Sequence, residues 1–98
     1  MLSIEFIVDT GFEGELCLPA SLVSRLITLT SGSCPVRLAD GTIRYRPSCE
    51  VMLNWQGESR RTDVLILEGY PLLGVELLAD CLLQIEMTDG GEVSIEPL

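Results

Sequence analysis

Apolar residues recur at every second position in several short segments of this chain, and glycine-containing turns separate the segments. In the clearest case four apolar residues flank the dipeptide Asp40-Gly41, namely Val36, Leu38, Ile43 and Tyr45. Side chains of a β-strand point alternately to opposite faces, so a period of two is typical of strands, and Asp-Gly is typical of the tight turn of a β-hairpin. The sequence therefore predicts a projecting hairpin with its tip at Asp40-Gly41.

Further strands are predicted wherever this period, or a short unbroken apolar run, returns. They are Ile4 to Val8, Leu16 to Leu18, Val51 to Trp55, Val64 to Leu67, Leu72 to Gly74, and a terminal hairpin of residues 82–96 that turns at Asp89-Gly90-Gly91. A turn is also predicted at Gln56-Gly57-Glu58. The unbroken run from Val64 to Leu67 predicts a strand that is buried on both faces.

Two segments are predicted to be helical. Pro19 can begin a helix, because the first turn offers no partner for the N–H that proline lacks. A helically spaced apolar stripe follows at Leu22, Val23, Leu26 and Ile27 and is predicted to be the buried face of the helix. The segment is expected to end at Ser31-Gly32-Ser33. Residues 75–80 are predicted to form one or two helical turns. Together these patterns indicate one mostly-β domain over residues 1–98, a closed or sandwich-like barrel with one or two short helices.

The charge and the composition exclude several classes of function. The chain has 15 acidic and 6 basic residues, a formal net charge of −9 at pH 7, and no histidine. The negative charge repels phosphate backbones, so we expect no nucleic-acid partner. The lack of histidine removes Ser-His and Cys-His catalysis and the commonest transition-metal ligand.

The acidic residues lack the spacing of a calcium loop, so we expect neither a metal nor a cofactor. These carboxylates, among them Glu13, Glu15 and Asp63, are predicted to lie in solvent, and Arg60 and Arg61 are predicted to contribute little to stability.

Charged residues interrupt every apolar segment before it reaches the length of a membrane span. The first residues also lack the basic start and the long apolar segment of an export signal. We therefore expect a cytoplasmic protein that does not associate with a membrane. In a reducing compartment its four cysteines are predicted to be small buried apolar side chains, namely Cys17, Cys34, Cys49 and Cys81.

The segment from Phe6 to Phe12 contains the clearest chemical signal. An apolar strand delivers the carboxylate of Asp9 to a turn at Gly11, with the small hydroxyl residue Thr10 between them. One interpretation is an ordinary turn, because aspartate caps turns and glycine accepts a positive φ. The other is catalytic, because one of two adjacent carboxylates holds a proton while the other activates water. Since one chain carries one such motif, the catalytic interpretation predicts a homodimer with both Asp9 residues at the two-fold axis.

Two motifs lie near opposite ends of the chain, Phe6-Ile7-Val8-Asp9-Thr10-Gly11 and Pro71-Leu72-Leu73-Gly74-Val75-Glu76-Leu77-Leu78. Together they resemble the retropepsin-like aspartic proteases, which are single-domain and dimeric. In that family two apolar residues precede Asp-Thr/Ser-Gly, and a late apolar-apolar-Gly sequence leads into a short helix. Between the motifs, Leu38 to Thr42 falls where the family carries the flap hairpin that closes over bound peptide. The resemblance implies a closed acid-protease barrel of the retropepsin type and a homodimer that hydrolyses peptide bonds in peptide or protein substrates.

The resemblance also implies roles for individual residues. Asp9 would be the catalytic acid. The residues that support it would be Thr10, which bonds across the dimer axis, Gly11, which leaves room for substrate backbone, and Leu72, Leu73 and Gly74, which pack beneath the loop. The residues that contact substrate would be Phe12 on the floor of the cleft and Ala39, Asp40 and Gly41 in the flap.

The chain departs from the family pattern at three places. Phe12 stands where retroviral enzymes have a small residue, and Val75 replaces an arginine, which leaves Glu13 without that partner. Only eight residues precede Asp9, so the family's first strand and its turn are absent. Either the chain begins late or the terminal hairpin supplies the missing edges, and we expect that hairpin to lie at the dimer interface. The alternative function is a catalytically inactive, protease-like module for dimerisation or peptide binding, in which Phe12 closes the active site.

Overall fold

The computed structural model describes residues 3–98, and these residues form a mostly-β structure. The strands and the helix in chain order are β1 Ile7–Val8, β2 Leu16–Leu18, α1 Ala20–Val23, β3 Thr28–Arg37, β4 Ile43–Trp55, β5 Glu58–Ile66, β6 Leu72–Leu73, β7 Cys81–Ile85 and β8 Val93–Pro97. The prediction of a mostly-β fold is therefore confirmed. Within residues 3–98 no helix is long and apolar enough to cross a membrane.

The strands form one sheet of six strands and one of two. The larger sheet has the order β1-β6-β2-β5-β4-β3, and β7 pairs with β8. The pairs β1 with β6 and β2 with β5 are parallel, whereas the other pairs of strands are antiparallel. Neither sheet closes into a barrel within the part of the chain that the structure describes.

The core lies where β2, β4, β5 and β6 meet. Its buried apolar side chains are Leu16, Cys17, Leu18, Cys49, Val51, Val64, Leu65, Leu73 and Leu77. Leu18 and Val64 are each 1% exposed, and burial of such side chains contributes about 1.5–3 kcal/mol each to stability. Ile4 and Phe6 pack against this core while Glu5 and Ile7 face solvent, so the predicted alternation of burial is confirmed. The first strand itself covers only Ile7–Val8, shorter than the predicted strand from Ile4 to Val8.

The predicted long helix after Pro19 is wrong beyond its first turn. The helix ends at Val23, and Ile27, which was predicted to be buried, is 88% exposed. Ser31-Gly32-Ser33 does not end a helical segment but lies inside β3, where it pairs with Pro47 to Cys49 of β4. Long-range hydrogen bonding to β4 outweighs the local turn preference of serine and glycine, since strand propensity depends strongly on context.

The segment after β6 was predicted to be helical, but residues 75–80 form hydrogen-bonded turns. The N–H of Leu78 donates to the carbonyl of Gly74 at 3.4 Å, and the N–H of Cys81 donates to the carbonyl of Leu78 at 3.0 Å. Asp80 has a φ of 62°, which ends any right-handed helix at that residue. The segment still delivers Leu77, which is 1% exposed, to the core.

The predicted hairpins are confirmed. At the tip between β3 and β4, the N–H of Leu38 donates to the carbonyl of Thr42 at 2.8 Å, and Gly41 has a φ of 86°. Between β4 and β5, Gln56 and Gly57 both have positive φ, as the two-residue turns that match strand twist require. The predicted terminal hairpin is formed by β7 and β8.

The four cysteines are free thiols that differ in burial. Cys17 and Cys49 are buried in the core, as predicted, whereas Cys34 and Cys81 are partly exposed. Burial raises the pKa of the Cys17 and Cys49 thiols, because an apolar surrounding disfavours the thiolate. At Cys17 a hydrogen bond with the backbone of Leu67 opposes this effect on the pKa.

We therefore expect Cys17 and Cys49 to react slowly with iodoacetamide at pH 8 in the native protein, and Cys34 and Cys81 to react first. The thiolate is the reacting form, and both its population and its access are reduced in the core. Mass spectrometry of peptides from a labelling time course measures the four rates. The matched control is the same reaction in denaturant, where the four rates should converge. Native rates that do not differ would contradict the burial of Cys17 and Cys49.

Candidate functional site

The carboxylate of Asp9 lies at the carboxyl end of β1, in a loop whose backbone is fixed. The N–H of Ile7 donates to the carbonyl of Pro71 and the N–H of Asp9 donates to the carbonyl of Leu73, both at 2.9 Å. The N–H of Gly11 donates to Oδ1 of Asp9 at 2.9 Å. This last bond orients the half-buried carboxylate toward the turn, as an aspartate turn does.

The chain beyond Asp9 is bonded to the segment that follows β6. The N–H of Val75 donates to the carbonyl of Phe12 at 3.0 Å, and the N–H of Gly74 donates to the carbonyl of Glu15 at 2.9 Å. The N–H of Glu76 donates to the carbonyl of Gly14 at 3.3 Å. Residues 9–15 and 71–76, which we call the Asp9 loop and the supporting segment, are thus joined along their whole length.

Gly74 is the position where the two segments approach most closely. A Cβ atom added there would lie 2.2 Å from the carbonyl oxygen of Gly14 and 2.7 Å from both the carbonyl oxygen and the ring of Phe12. Two of these three contacts are with backbone atoms, which cannot rotate away. Glycine is therefore required for the close contact between the Asp9 loop and the supporting segment.

We expect Gly74→Ala to destabilise the protein by at least about 2 kcal/mol, because overpacking against backbone forces the two segments apart. Gly32→Ala is the matched control, since a Cβ at Gly32 meets nothing within 4 Å. That control should change stability by no more than about 1 kcal/mol in either direction. Urea unfolding of both variants measures the difference. Equal stabilities would show that the loop and the supporting segment are not in tight contact.

A cleft of about 740 Å³ opens beside the Asp9 loop. Its walls are formed by residues 11–16 of the loop, residues 34–39 of β3 and the hairpin, residues 63–65 of β5, Ser48 and Glu76. It contains three of the predicted site residues, Gly11, Phe12 and Ala39. The cleft therefore lies between the Asp9 loop and the hairpin.

The other predicted site residues lie outside the cleft lining of this single chain. Asp9 and Thr10 lie in the loop next to Gly11, and Asp40 and Gly41 are exposed at the hairpin tip. The predicted supporting residues Leu72, Leu73 and Gly74 lie behind the loop, where the backbone bonds of Leu73 and Gly74 hold it. The structure thus brings Asp9 and its predicted supporting residues together, and it places two predicted flap residues at a tip that projects into solvent.

Asp40 has a structural role at that tip. Its Oδ1 accepts hydrogen bonds from the hydroxyl of Thr42 at 2.6 Å and from the N–H of Thr42 at 2.9 Å. These bonds, that of the hydroxyl first, hold the pKa of Asp40 below its usual value. The carboxylate therefore closes the turn internally while remaining fully exposed. Its predicted contact with substrate remains a prediction.

Sequence reasoning missed an ion pair between Glu15 and Arg60. Glu15 is buried, with 10% of its side chain exposed, and its Oε2 accepts a hydrogen bond from Nη2 of Arg60. The N–H of Asp63 donates to the other oxygen, Oε1, at 3.0 Å. The prediction that Glu15 lies in solvent is therefore wrong. A signal was available, since Arg60 shares a strand face with the buried residues Thr62 and Val64.

We expect Arg60→Ala to destabilise the protein by about 1–3 kcal/mol, because it leaves the carboxylate of Glu15 buried without a cation. The side chain of Arg60 is itself 40% exposed, so the loss should be less than that for a fully buried pair. Arg61→Ala is the matched control, since Arg61 lies 3.7 Å from Glu50 and is 61% exposed. That control should cost less than about 1 kcal/mol. Thermal and urea unfolding compare the two variants, and an equal loss would contradict a special role for Arg60.

Among residues 3–98 no group of three or more cysteine, aspartate or glutamate side chains is arranged to hold a metal ion. Comparisons of the chain with protein-family models, with curated proteins and with solved structures found no match. The function therefore has to be inferred from the geometry of the Asp9 loop and the cleft beside it.

Proposed function

We propose that the protein is a homodimeric aspartic endopeptidase of the retropepsin type, in which Asp9 from each of two subunits activates one water molecule. The observation that carries the proposal is the fixed position of Asp9 at the end of β1. Its N–H is bonded to Leu73, and its carboxylate is bonded to the N–H of Gly11. A catalytic carboxylate has to be held rigidly, because misplacement by about 1 Å can cost about a hundredfold in rate.

The chemistry follows from two carboxylates that share one proton. The ionised Asp9 takes a proton from water as the oxygen attacks the peptide carbonyl, and the protonated Asp9 gives its proton to the carbonyl oxygen. The tetrahedral intermediate collapses as the C–N bond breaks. The leaving nitrogen receives a proton from the carboxyl group that was formed in the first step, and one hydroxyl of the intermediate gives its proton to the other, ionised Asp9. Products are a carboxylic acid and an amine, and the pair again holds one proton.

The order of the elements supports the retropepsin assignment. The Asp9 loop comes first, a projecting hairpin of β3 and β4 follows, and Leu72-Leu73-Gly74 returns late in the chain to lie beside the loop. In the proposed dimer Thr10 bonds across the two-fold axis, and β7 and β8 lie at the interface and complete the barrel. The exposed apolar residues Leu82, Ile85, Val93 and Leu98 would be covered there. A cytoplasmic location is part of the same proposal.

One observation favours a second function, a peptide-binding module without turnover. In the single chain Phe12 lines the cleft and Asp9 does not. The ring of Phe12 also lies over Gly14, where an added Cβ would be 2.7 Å from it. Such a module would keep the dimer and the cleft but would release bound peptide uncleaved. Measuring peptide binding and cleavage on the same sample separates the two functions.

We expect Asp9→Asn to reduce peptide cleavage at least about a hundredfold, because the amide can neither accept nor hold the catalytic proton. Asp80→Asn is a matched control, since Asp80 is exposed outside the cleft and asparagine tolerates its φ of 62°. A peptide library assayed from pH 4 to pH 8 measures activity, and sedimentation checks that each variant is a dimer.

Equal cleavage by the wild type and Asp9→Asn would eliminate Asp9 as the catalytic acid. A dimeric wild type that binds peptides at every pH without cleaving them would favour the binding module instead.

A further inference from the structure

The walls of the cleft carry negative charges, and ion pairs neutralise only some of them. Four acidic residues line it, Glu13, Glu15, Asp63 and Glu76, and the single basic residue in the lining is Arg37. Among residues 3–98 the ion pairs are Glu15 with Arg60 and Glu50 with Arg61. Glu15 is therefore neutralised, whereas three carboxylates of the lining have no ion-pair partner in the described residues.

Hydrogen bonds of the backbone hold the segments that carry these three residues next to one another. Glu13 and Glu76 lie on one wall, because the N–H of Glu76 is bonded to Gly14, the neighbour of Glu13. Asp63 lies on the adjoining strand β5, and its N–H donates to Oε1 of Glu15. All three residues are exposed, so a bound ligand can reach them. A positively charged ligand would relieve the repulsion among them.

Much of the remaining lining is apolar and suits an uncharged side chain. Residues from the loop, the hairpin and β5 contribute, namely Phe12, Leu16, Val36, Leu38, Val64 and Leu65. An apolar floor with negatively charged walls matches a peptide in which an apolar residue is flanked by lysine or arginine. The net charge of −9 would further attract such a peptide from solution.

We infer that the cleft selects cationic peptide segments, with an apolar side chain on its floor and flanking lysine or arginine side chains beside Glu13, Asp63 and Glu76. The inference rests on the proposed function for the identity of the ligand as a peptide. It adds the substrate class, which the Asp9 loop alone does not define.

The first test measures binding rather than cleavage and uses the full chain with Asp9→Asn, so that turnover does not interfere. Two fluorescent peptides share the same leucine and phenylalanine centre, and one carries flanking lysines where the other carries glutamates. Fluorescence anisotropy at low salt should show the lysine peptide binding at least about tenfold more tightly, as several exposed charge pairs together allow. The preference should shrink in about 1 M salt, where charges are screened beyond about 3 Å.

The second test locates the preference in the cleft. In the Asp9→Asn background, combining Glu13→Gln, Asp63→Asn and Glu76→Gln should remove most of the preference for the lysine peptide. The control combines Glu58→Gln, Glu68→Gln and Asp80→Asn, which changes the net charge equally at exposed residues outside the cleft lining. The control should keep the preference, and circular dichroism should show that both variants are folded.

Three results would overturn the inference: equal binding of the two peptides, binding of neither, or equal loss of preference in both triple variants. The outcome is separable from that of the proposed function. Cleavage by the wild type without any charge preference would retain the protease and remove the inference. Selective binding of the lysine peptide by the Asp9→Asn chain, together with no cleavage by the wild type, would retain the inference and remove the protease.

Discussion

The hydrogen bonds between the Asp9 loop and the supporting segment are the constraint on which the rest of the structure depends. β1 and β6 contain two residues each, and such short strands would not be stable as an isolated pair. Backbone hydrogen bonds extend the contact beyond these strands, beginning at Ile7 in the first segment and reaching Glu76 in the second. Gly74 permits the close approach of the two segments. As a result a loop that would otherwise be mobile holds the carboxylate of Asp9 in one position.

The same contact connects the loop to the core and to the cleft. β2, which directly follows the loop, pairs with β6 on one side and with β5 on the other. Leu16 and Leu18 fill the core from this strand, while Glu15, at its start, pairs with Arg60 of β5. The wall of the cleft is therefore made from the edge of the most buried part of the protein. Substrate would bind against a rigid surface on one side and a projecting hairpin on the other.

The sequence predicted those parts of the fold whose signals are local. The period of two around Asp40-Gly41 and the turn at Gln56-Gly57 identified their hairpins, because turn chemistry and strand alternation act over a few residues. The segment Ser31-Gly32-Ser33 was misassigned, because its strand conformation depends on pairing with distant residues of β4. The burial of Glu15 was missed for the same reason, since its partner Arg60 is distant in the chain. The Asp9 motif and its supporting residues were found from their sequence, but the cleft and its charged walls required the three-dimensional arrangement.

The central claim is that one active site needs Asp9 from two subunits. It is tested most directly by refolding mixtures of wild type and Asp9→Asn at constant total concentration and measuring peptide cleavage. A shared site predicts that activity falls with the square of the wild-type fraction. An equal mixture then retains about one quarter of the activity, since about one quarter of the randomly formed dimers contain two wild-type chains and the mixed and all-variant dimers are inactive. Mixtures with Asp80→Asn should retain full activity. A linear decline, with about one half of the activity left in the equal mixture, would mean that each chain carries a complete site and would contradict the account.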